Sequence, residues 1–389
     1  MNKPGLPDFI HQMLSSKQIW LALQVEVEEE NDASSSNFAQ LCHILATCNL
    51  KALDLQLICF CDNINTFVPQ LLFYLLHVKK IKGLLFEQNF RNPHRNNRQI
   101  QENRFPMDLD LLPLFSPHKK LDNFTFLAEE NAMLIKFFPF EELQELQSLR
   151  IGPGCSTQLN DNDFETCIAR LKSCKKLGEL YFNLKHCSLL TDVSVRNLCT
   201  ELLKYLPDLE TLNLTFGYAP HPSCLLPQQF TPPKCLYTPH AVNYLAESLP
   251  ILASIKRLSL GLQIKDLSDK ELNTLFDALS HLKTLQVLEI SVLPVSGSLS
   301  DSTSSSIKDC LKNLMCLQDF CLALRNCDKL TNLFLEDISS AFTIRKASKS
   351  LRRICMNFQN SGISTESMDE CASFIKTQLP SCYVSIFRR

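Results

Sequence analysis

An eight-residue apolar template recurs along this chain, and self-similarity at a period of about 20 to 50 residues commits a sequence to stacking like units instead of closing one globular core. From Leu209 the chain reads L-E-T-L-N-L-T-F, apolar at positions 1, 4, 6 and 8. The same pattern starts at Leu177, Ile255, Leu285, Leu317 and Leu351, and towards the N-terminus at Trp20 and Leu50. Ile81, Leu121 and Leu146 keep the first three of the four apolar positions. Successive starts lie 30, 31, 40, 25, 31, 32, 46, 30, 32 and 34 residues apart, and a partial twelfth strand is expected around Cys382 to Ile386. Alternation over positions 4, 6 and 8 is the signature of a strand with one buried face.

With 45% hydrophobic residues, four such positions coincide by chance in about 4% of registers, so the template alone is weak. A second feature strengthens it. Twelve to 14 residues after the strand starts stand Leu159-Asn160-Asp161, Leu190-Thr191-Asp192, Leu267-Ser268-Asp269, Leu299-Ser300-Asp301, Leu330-Thr331-Asn332 and Ile363-Ser364-Thr365. Each is an apolar anchor followed by residues that accept hydrogen bonds from the free amides of a first helical turn. Beyond them the apolar spacing turns helical, as in Leu272, Leu275, Phe276 and Leu279, or Val193, Val195, Leu198, Leu202 and Leu203. The unit is therefore strand, loop, helix.

These residues resemble a leucine-rich repeat protein of the ribonuclease-inhibitor-like, helical-repeat type, over roughly Trp20 to Arg389. Alternation carried to position 8 is similar to the long-strand repeats abundant in ciliate proteins. The resemblance implies an α/β solenoid, a horseshoe with parallel strands on the concave face and helices on the convex face. In that family an Asn, or in some branches a Cys, follows the strand and bonds to the loop backbone; here Cys187 and Cys327 hold the place in two repeats, and no regular residue holds it elsewhere. Since no unit buries its own apolar stripe, stacking yields one continuous core, and residues 1–389 are expected to form a single solenoid of about 11 to 12 repeats, with 1–18 as an N-terminal cap.

Composition narrows the function classes. Thirty-nine Lys plus Arg against 41 Asp plus Glu give a net charge of -2, without the basic excess that grips nucleic acid or anionic lipid. Nine glycines make a poor supply for phosphate-cradling loops. Eighteen Cys would suggest disulfides in a secreted protein, but no basic start, apolar run and small-residue cleavage site stands near Met1, so a reducing, cytoplasmic setting is expected. No apolar segment approaches the roughly 20 residues that span a bilayer. The signatures G-x-x-x-x-G-K-[ST], H-E-x-x-H, G-x-S-x-G and C-x-x-C are absent, so neither catalytic residues nor a cofactor is assigned.

The longest interval contains a loop insertion, residues 219–239, with prolines at 220, 222, 227, 232, 233 and 239. It reads as a surface loop ending where Thr238 caps and Pro239 takes the first position of a helix. His221, Cys224, Cys235 and His240 lie there in an H-x₂-C…C-x₄-H arrangement, residue types that suit zinc at a spacing outside the strong zinc patterns; a recognition loop is the favoured reading. Arg91 to Arg104 is the one basic cluster, lacking interleaved aromatics for base stacking, and reads as a solvated loop. Ser296 to Ser306 reads as a flexible serine-rich connection. Glu26, Glu28, Glu29, Glu30, Asp54 and Glu87 mark an acidic N-terminal edge, read as solvated or as a landing site for a basic partner rather than as paired catalytic carboxylates.

Positions 3, 5 and 7 of each template face away from the core. They carry Arg150, Glu179, Tyr181, Asn183, Thr211, Asn213, Thr215, Arg257, Ser259, Glu289, Ser291, Asp319, Arg353 and Asn357. Mixed charge with a Tyr and small polar groups suits a protein partner. The expected function is a non-enzymatic interaction scaffold binding a partner protein through Tyr181, Asn183, Asn213, Arg257, Glu289 and Arg353, with Tyr181, Arg257 and Arg353 as anchors because Tyr and Arg dominate hot spots. Two alternatives stand beside it. Resemblance to the Ran GTPase-activating protein, also a helical leucine-rich repeat, would imply stimulation of a small GTPase, although the acidic C-terminal region of that family is replaced here by Arg388-Arg389. Leu6-Pro7-Asp8-Phe9-Ile10 resembles the opening of an F-box and would imply a ubiquitin-ligase substrate receptor, although about a dozen residues before the first strand are too few for that module. The sequence does not identify the partner or the oligomeric state.

Overall fold

The computed structural model describes residues 20–27, 52–59, 81–88, 122–127, 140–152, 159–185, 187–217, 237–295, 299–345 and 350–387. They fall into two compact units. The first carries β1 (Trp20–Val27), β2 (Ala52–Cys59), β3 (Ile81–Gln88), β4 (Asn123–Leu127) and β5 (Ser148–Gly152). Each strand pairs in parallel with the next in sequence, the order expected when every strand is followed by a crossover that returns the chain to the same side. Phe124 and Phe140 meet edge to face in this unit, with ring centroids 6.5 Å apart.

Register in this unit corrects one frame. Trp20 pairs with Ala52, and Asp54 pairs with Gly83, which pairs with Asn123 and that with Ser148 in turn. The frames starting at Trp20, Ile81, Leu121 and Leu146 thus align, and the one starting at Leu50 stands two residues out of step. Its aligned start is Ala52, from which Leu55, Leu57 and Cys59 occupy positions 4, 6 and 8. A bulge accompanies the adjustment, because Leu53 pairs with Ile81 and Asp54 with Gly83, leaving Lys82 as the extra residue.

The second unit holds β6 (Glu179–Lys185), β7 (Thr211–Gly217), β8 (Arg257–Ile264), β9 (Val287–Pro294), β10 (Asp319–Leu324), β11 (Arg353–Asn357) and β12 (Tyr383–Phe387), again parallel and in sequence order. β12 realises the expected twelfth strand. α1 (Asp161–Leu171) precedes β6, and between the strands run α2 (Asp192–Asn197), α3 (Pro239–Ser248), α4 (Asp269–Leu279), α5 (Ser304–Asn313), α6 (Asn332–Arg345) and α7 (Thr365–Gln378). α2 continues into a π turn at Leu198–Leu202 and a 3₁₀ turn at Leu203–Tyr205. Parallel strands in sequence order, each with a returning helix, fit the leucine-rich-repeat kind of architecture.

Burial follows the template. At position 1 Leu177, Leu209, Ile255, Leu285, Leu317 and Leu351 are buried, as are Leu180, Leu212, Leu258, Leu288, Phe320 and Ile354 at position 4. Positions 6 and 8 add Phe182, Leu214, Leu260 and Ile290, and Leu184, Phe216, Leu262 and Val292. Helices supply the other side of the core through residues such as Leu272, Leu275, Phe276 and Leu279. Val193, expected on the apolar face of α2, instead lies exposed in its first turn. The residues between successive strands form a backbone ladder: the amides of Lys256 and Arg257 donate to the Glu210 carbonyl, those of Gln286 and Val287 to Lys256, and those of Gln318 and Asp319 to Gln286.

The capping triplets do more than start helices. Asn160 accepts from the Asp163 amide at 3.0 Å, and Ser364 from Ser367 at 3.1 Å, as N-caps. The third residue of five of the six triplets reaches forward to the next repeat. Asp161 accepts from the Thr191 amide at 2.9 Å and hydroxyl at 2.6 Å, and Asp192 accepts from both groups of Thr238. Asp269 accepts from the Ser300 amide at 2.8 Å and hydroxyl at 2.5 Å, and Asp301 from the Thr331 amide at 2.8 Å and hydroxyl at 2.5 Å. Asn332 closes the series by accepting from the Ser364 amide at 2.9 Å. A carboxylate at a helix start also sits favourably against the helix dipole.

Two further expectations meet the structure here. Thr238 caps α3 and Pro239 occupies its first position, as read. Ser296 to Ser306 is not a flexible connection throughout: Ser300 caps a 3₁₀ turn at Asp301–Thr303 and α5 begins at Ser304, because serine hydroxyls satisfy the orphan groups of a helix start. Residues 296–298, the segment Arg91 to Arg104, the opening Leu6 to Ile10 and most of the proline-rich loop lie outside the described residues. Among the described residues no helix is long and apolar enough to cross a membrane.

Candidate functional site

The sheet of the second unit presents three rows of side chains, all but Asn357 half-buried or exposed, opposite its apolar side. Register aligns them strand by strand. The position-3 row runs Glu179, Thr211, Arg257, Val287, Asp319, Arg353 and Tyr383; the position-5 row Tyr181, Asn213, Ser259, Glu289, Cys321, Cys355 and Ser385; and the position-7 row Asn183, Thr215, Gly261, Ser291, Ala323, Asn357 and Phe387. These rows exist because each strand alternates strictly, so one face is used up by the core and the other is free to vary.

The six residues singled out from sequence all stand in these rows, and the structure brings only some of them together. Arg353 on β11 reaches Glu289 two strands away, Nη2 to Oε1 at 3.3 Å, and approaches Asp319 Oδ2 at 3.6 Å. Tyr181 and Asn213 are direct register neighbours on β6 and β7. Arg257 is exposed on β8. Asn183 turns to its own strand, accepting from the Lys185 amide at 3.3 Å; Asn357, 8% exposed, does the same with the Gln359 amide at 3.1 Å. At the usual strand spacing, Tyr181 and Arg353 stand about 24 Å apart. The anchors are therefore spread along the face, and Arg353 is already engaged with carboxylates. Negative charge on a deprotonated Cys321, and the Asp319 and Glu289 carboxylates, favour its charged form against partial desolvation.

A depression of about 450 Å³ lies in this face. Its floor is made of small residues in consecutive strands, Ser259 and Gly261, then Ser291, then Cys321 and Ala323, with Cys355 beyond them. The floor is close-packed: a Cβ on Gly261 would come within 2.9 Å of the Thr215 methyl. Lys185, Glu289, Arg325 and Phe387 stand among its walls. Sequence reading placed Ser259 and Ser291 on this face without seeing the hollow; the signal was small residues at positions 5 and 7 of neighbouring repeats.

The thiols sort by environment. Cys199, Cys310 and Cys371 are buried, as are Cys187 and Cys327. Burial pushes the Cys199 and Cys371 thiols up to about 12, and raises Cys310 further. Cys327 Sγ donates to the Arg325 carbonyl at 3.3 Å, the loop-bonding role the family resemblance implies. Cys316 is exposed, and Cys321 and Cys355 are half-buried. Desolvation likewise pushes the Cys321 thiol up to about 12, and such raised values oppose thiolate formation at neutral pH in Cys199, Cys310, Cys321 and Cys371.

The remaining candidates bring no further chemistry together. His221, Cys224 and Cys235 lie outside the described residues, and His240 is exposed in the first turn of α3. Among the described residues no group of three or more His, Cys, Asp and Glu is placed to hold a metal. Register sets Glu26 and Glu87 in one row with Ile58 between them, and Asp54 in another; Glu28, Glu29 and Glu30 lie outside the described residues.

No family model matches this chain, and no curated protein does. Among solved structures, the crystal structure of a TLR13–ssRNA13 complex is similar to it, with 13% sequence identity and a TM-score of 0.32, covering 99% of this chain and 52% of that one. The chain thus spans about half the length of that structure's chain.

Proposed function

We propose that this protein is a non-enzymatic interaction scaffold, a leucine-rich-repeat solenoid of the helical, ribonuclease-inhibitor-like type that binds a partner protein on its concave, strand-lined face. The reading extends to residues 1–389 as one repeat array and to a cytoplasmic setting. The observation that carries it is the pairing of a small-residue depression with rows of mixed charge on one sheet face: Ser259, Gly261, Ser291 and Ala323 line the depression, and Arg257, Glu289, Asp319 and Arg353 stand in rows of the same strands. Protein interfaces combine a desolvated pocket for an anchor side chain with a polar rim. A polyanion would instead call for one sign of charge.

Tyr181, Asn183, Asn213, Arg257, Glu289 and Arg353 are the proposed contacts. Partners are isolated on the full chain from its native cytosol and their affinity is measured for three variants: the triple change of Tyr181, Arg257 and Arg353 to Ala, Ser291→Trp to fill the depression, and Lys376→Ala on α7 as a control. The first two are expected to weaken one defined partner at least tenfold, or about 1.4 kcal/mol, while Lys376→Ala leaves it unchanged. Equal affinity for all three folded variants would remove this face from consideration.

A further inference from the structure

We propose that Cys321 and Cys355 form a two-thiol chelate on the floor of the depression for a soft monovalent cation of the copper(I) class. The two residues are direct register partners on β10 and β11, both half-buried and both lining the same hollow. In the other described strands of this unit the same row holds Tyr181, Asn213, Ser259, Glu289 and Ser385, so the neighbouring thiols are a local departure from the repeat. Facing residues on adjacent parallel strands stand about 4.8 Å apart at Cα. Zinc–thiolate bonds run to about 2.3 Å, and at a similar length one ion centred between the sulfurs matches the spacing the sheet imposes.

The ligand set selects the class of ion. Two thiolates favour monovalent copper over Mg²⁺, Ca²⁺ or Mn²⁺, and Glu289, the register neighbour of Cys321 on β9, is engaged by Arg353. Structural Zn²⁺ needs four ligands, and among the described residues no third His, Cys, Asp or Glu completes a metal-holding group here. Binding exchanges two protons for the ion, Cu⁺ + 2 RSH → [Cu(SR)₂]⁻ + 2 H⁺, with no change of oxidation state. The product carries one negative charge beside the Arg353 guanidinium, whose charged form is favoured by negative charge at Cys321 and Cys355. Among the described residues the other thiols differ in placement: Cys199, Cys310, Cys371 and five more are buried, and Cys316 is exposed outside the strands.

This site does not depend on the partner reading, since its test uses the ion alone. Reduced full-length chain is titrated anaerobically with Cu(I) against excess bicinchoninate, alongside Cys321→Ser, Cys355→Ser and the double variant, with thermal melts confirming folding. Each single change is expected to remove the same one equivalent that the double change removes, because a chelate fails when either thiol is lost. Full retention in a single variant, or loss of two equivalents only in the double, would overturn the site. On the unaltered chain, bound Cu(I) is expected to slow maleimide modification of Cys355 by at least tenfold while Cys316 stays reactive. Equal modification with and without the ion would also overturn it, whatever the fate of the variants.

Discussion

An aspartate in the first turn of one helix that binds the capping residue of the next repeat joins two functions in one side chain. Asp269 accepts three hydrogen bonds, from the Ser300 amide, the Ser300 hydroxyl and the Ser302 hydroxyl at 2.8, 2.5 and 2.6 Å. Charge-assisted bonds of this kind are each worth about 1.5–3 kcal/mol when desolvated, and this site is only half-buried, so Asp269→Ala is expected to cost about 1–3 kcal/mol by urea denaturation. Asp269→Asn is expected to cost less, because Asn332 shows that an amide oxygen still accepts the backbone bond. Asp337 gives a pH-dependent counterpart. Hydrogen bonds from Lys308 at 2.7 Å and Ser304 at 2.6 Å hold its carboxyl below the usual carboxylate range. Its contribution is present above the unfolded carboxyl's value and lost as pH falls through the lower, folded one. Asp337→Asn should therefore lower the melting temperature at pH 7, and the difference from the unaltered protein should shrink under acid. The capping role of Thr191, Ser300 and Ser364 was legible from residue type and position. The reach of Asp161, Asp192, Asp269 and Asp301 into the neighbouring repeat was not, because it depends on how repeats stack and leaves no mark within one unit.

At the level of the element, strand ends are fixed by places where no side chain fits. Gly217 closes β7 at a φ of 99°, and an added Cβ would meet Gln263 Cβ at 2.4 Å and its carbonyl oxygen at 2.8 Å. Backbone strain and overlap act together there, so Gly217→Ala is expected to destabilise by about 1–3 kcal/mol or more. Gly261→Ala, on the same sheet at an ordinary φ, meets a methyl that can shift, and its loss should be smaller in the same thermal melts. A reversed order would show that the close approach at Gly217 relaxes freely. Strand positions were legible from alternation because burial on one face enforces period two. The frame of β2 was not: Leu50 and Ala52 both satisfy the template, and a two-residue slip leaves every side chain on the same face. The site was legible to a similar depth. Rows at positions 3, 5 and 7 follow from alternation, whereas the bond from Arg353 to Glu289 spans two strands and the hollow above Gly261 is lined from every strand from β6 to β12.

In the whole molecule, stability in a stacked array is close to a sum of repeat and nearest-neighbour terms, so the weakest neighbour contact decides where it opens first. The carboxylate ladder identifies one such contact within the second unit. Asp161 bonds to Thr191, Asp192 to Thr238, Asp269 to Ser300 and Asp301 to Thr331, but the corresponding residue of α3 is Pro239, which has no side-chain acceptor. Ser268 accordingly donates to Glu271 in its own helix instead of to the preceding repeat. The repeat of β7 and α3 is thus tied to that of β8 and α4 by apolar packing and backbone bonds without the ladder. Native-state hydrogen exchange should show β6 and β7 opening as one block and β8 to β12 as another, with different free energies. Pro239→Asp restores an acceptor at this position. The new bonds should contribute about 1 kcal/mol, offset in part by the roughly 0.4–1 kcal/mol of chain freedom that proline had removed from the unfolded state. The expected readout is therefore convergence of the two blocks rather than a large rise in melting temperature. If the blocks already exchange together in the unaltered chain, apolar packing across this contact is sufficient, and the ladder sets helix starts without controlling cooperativity.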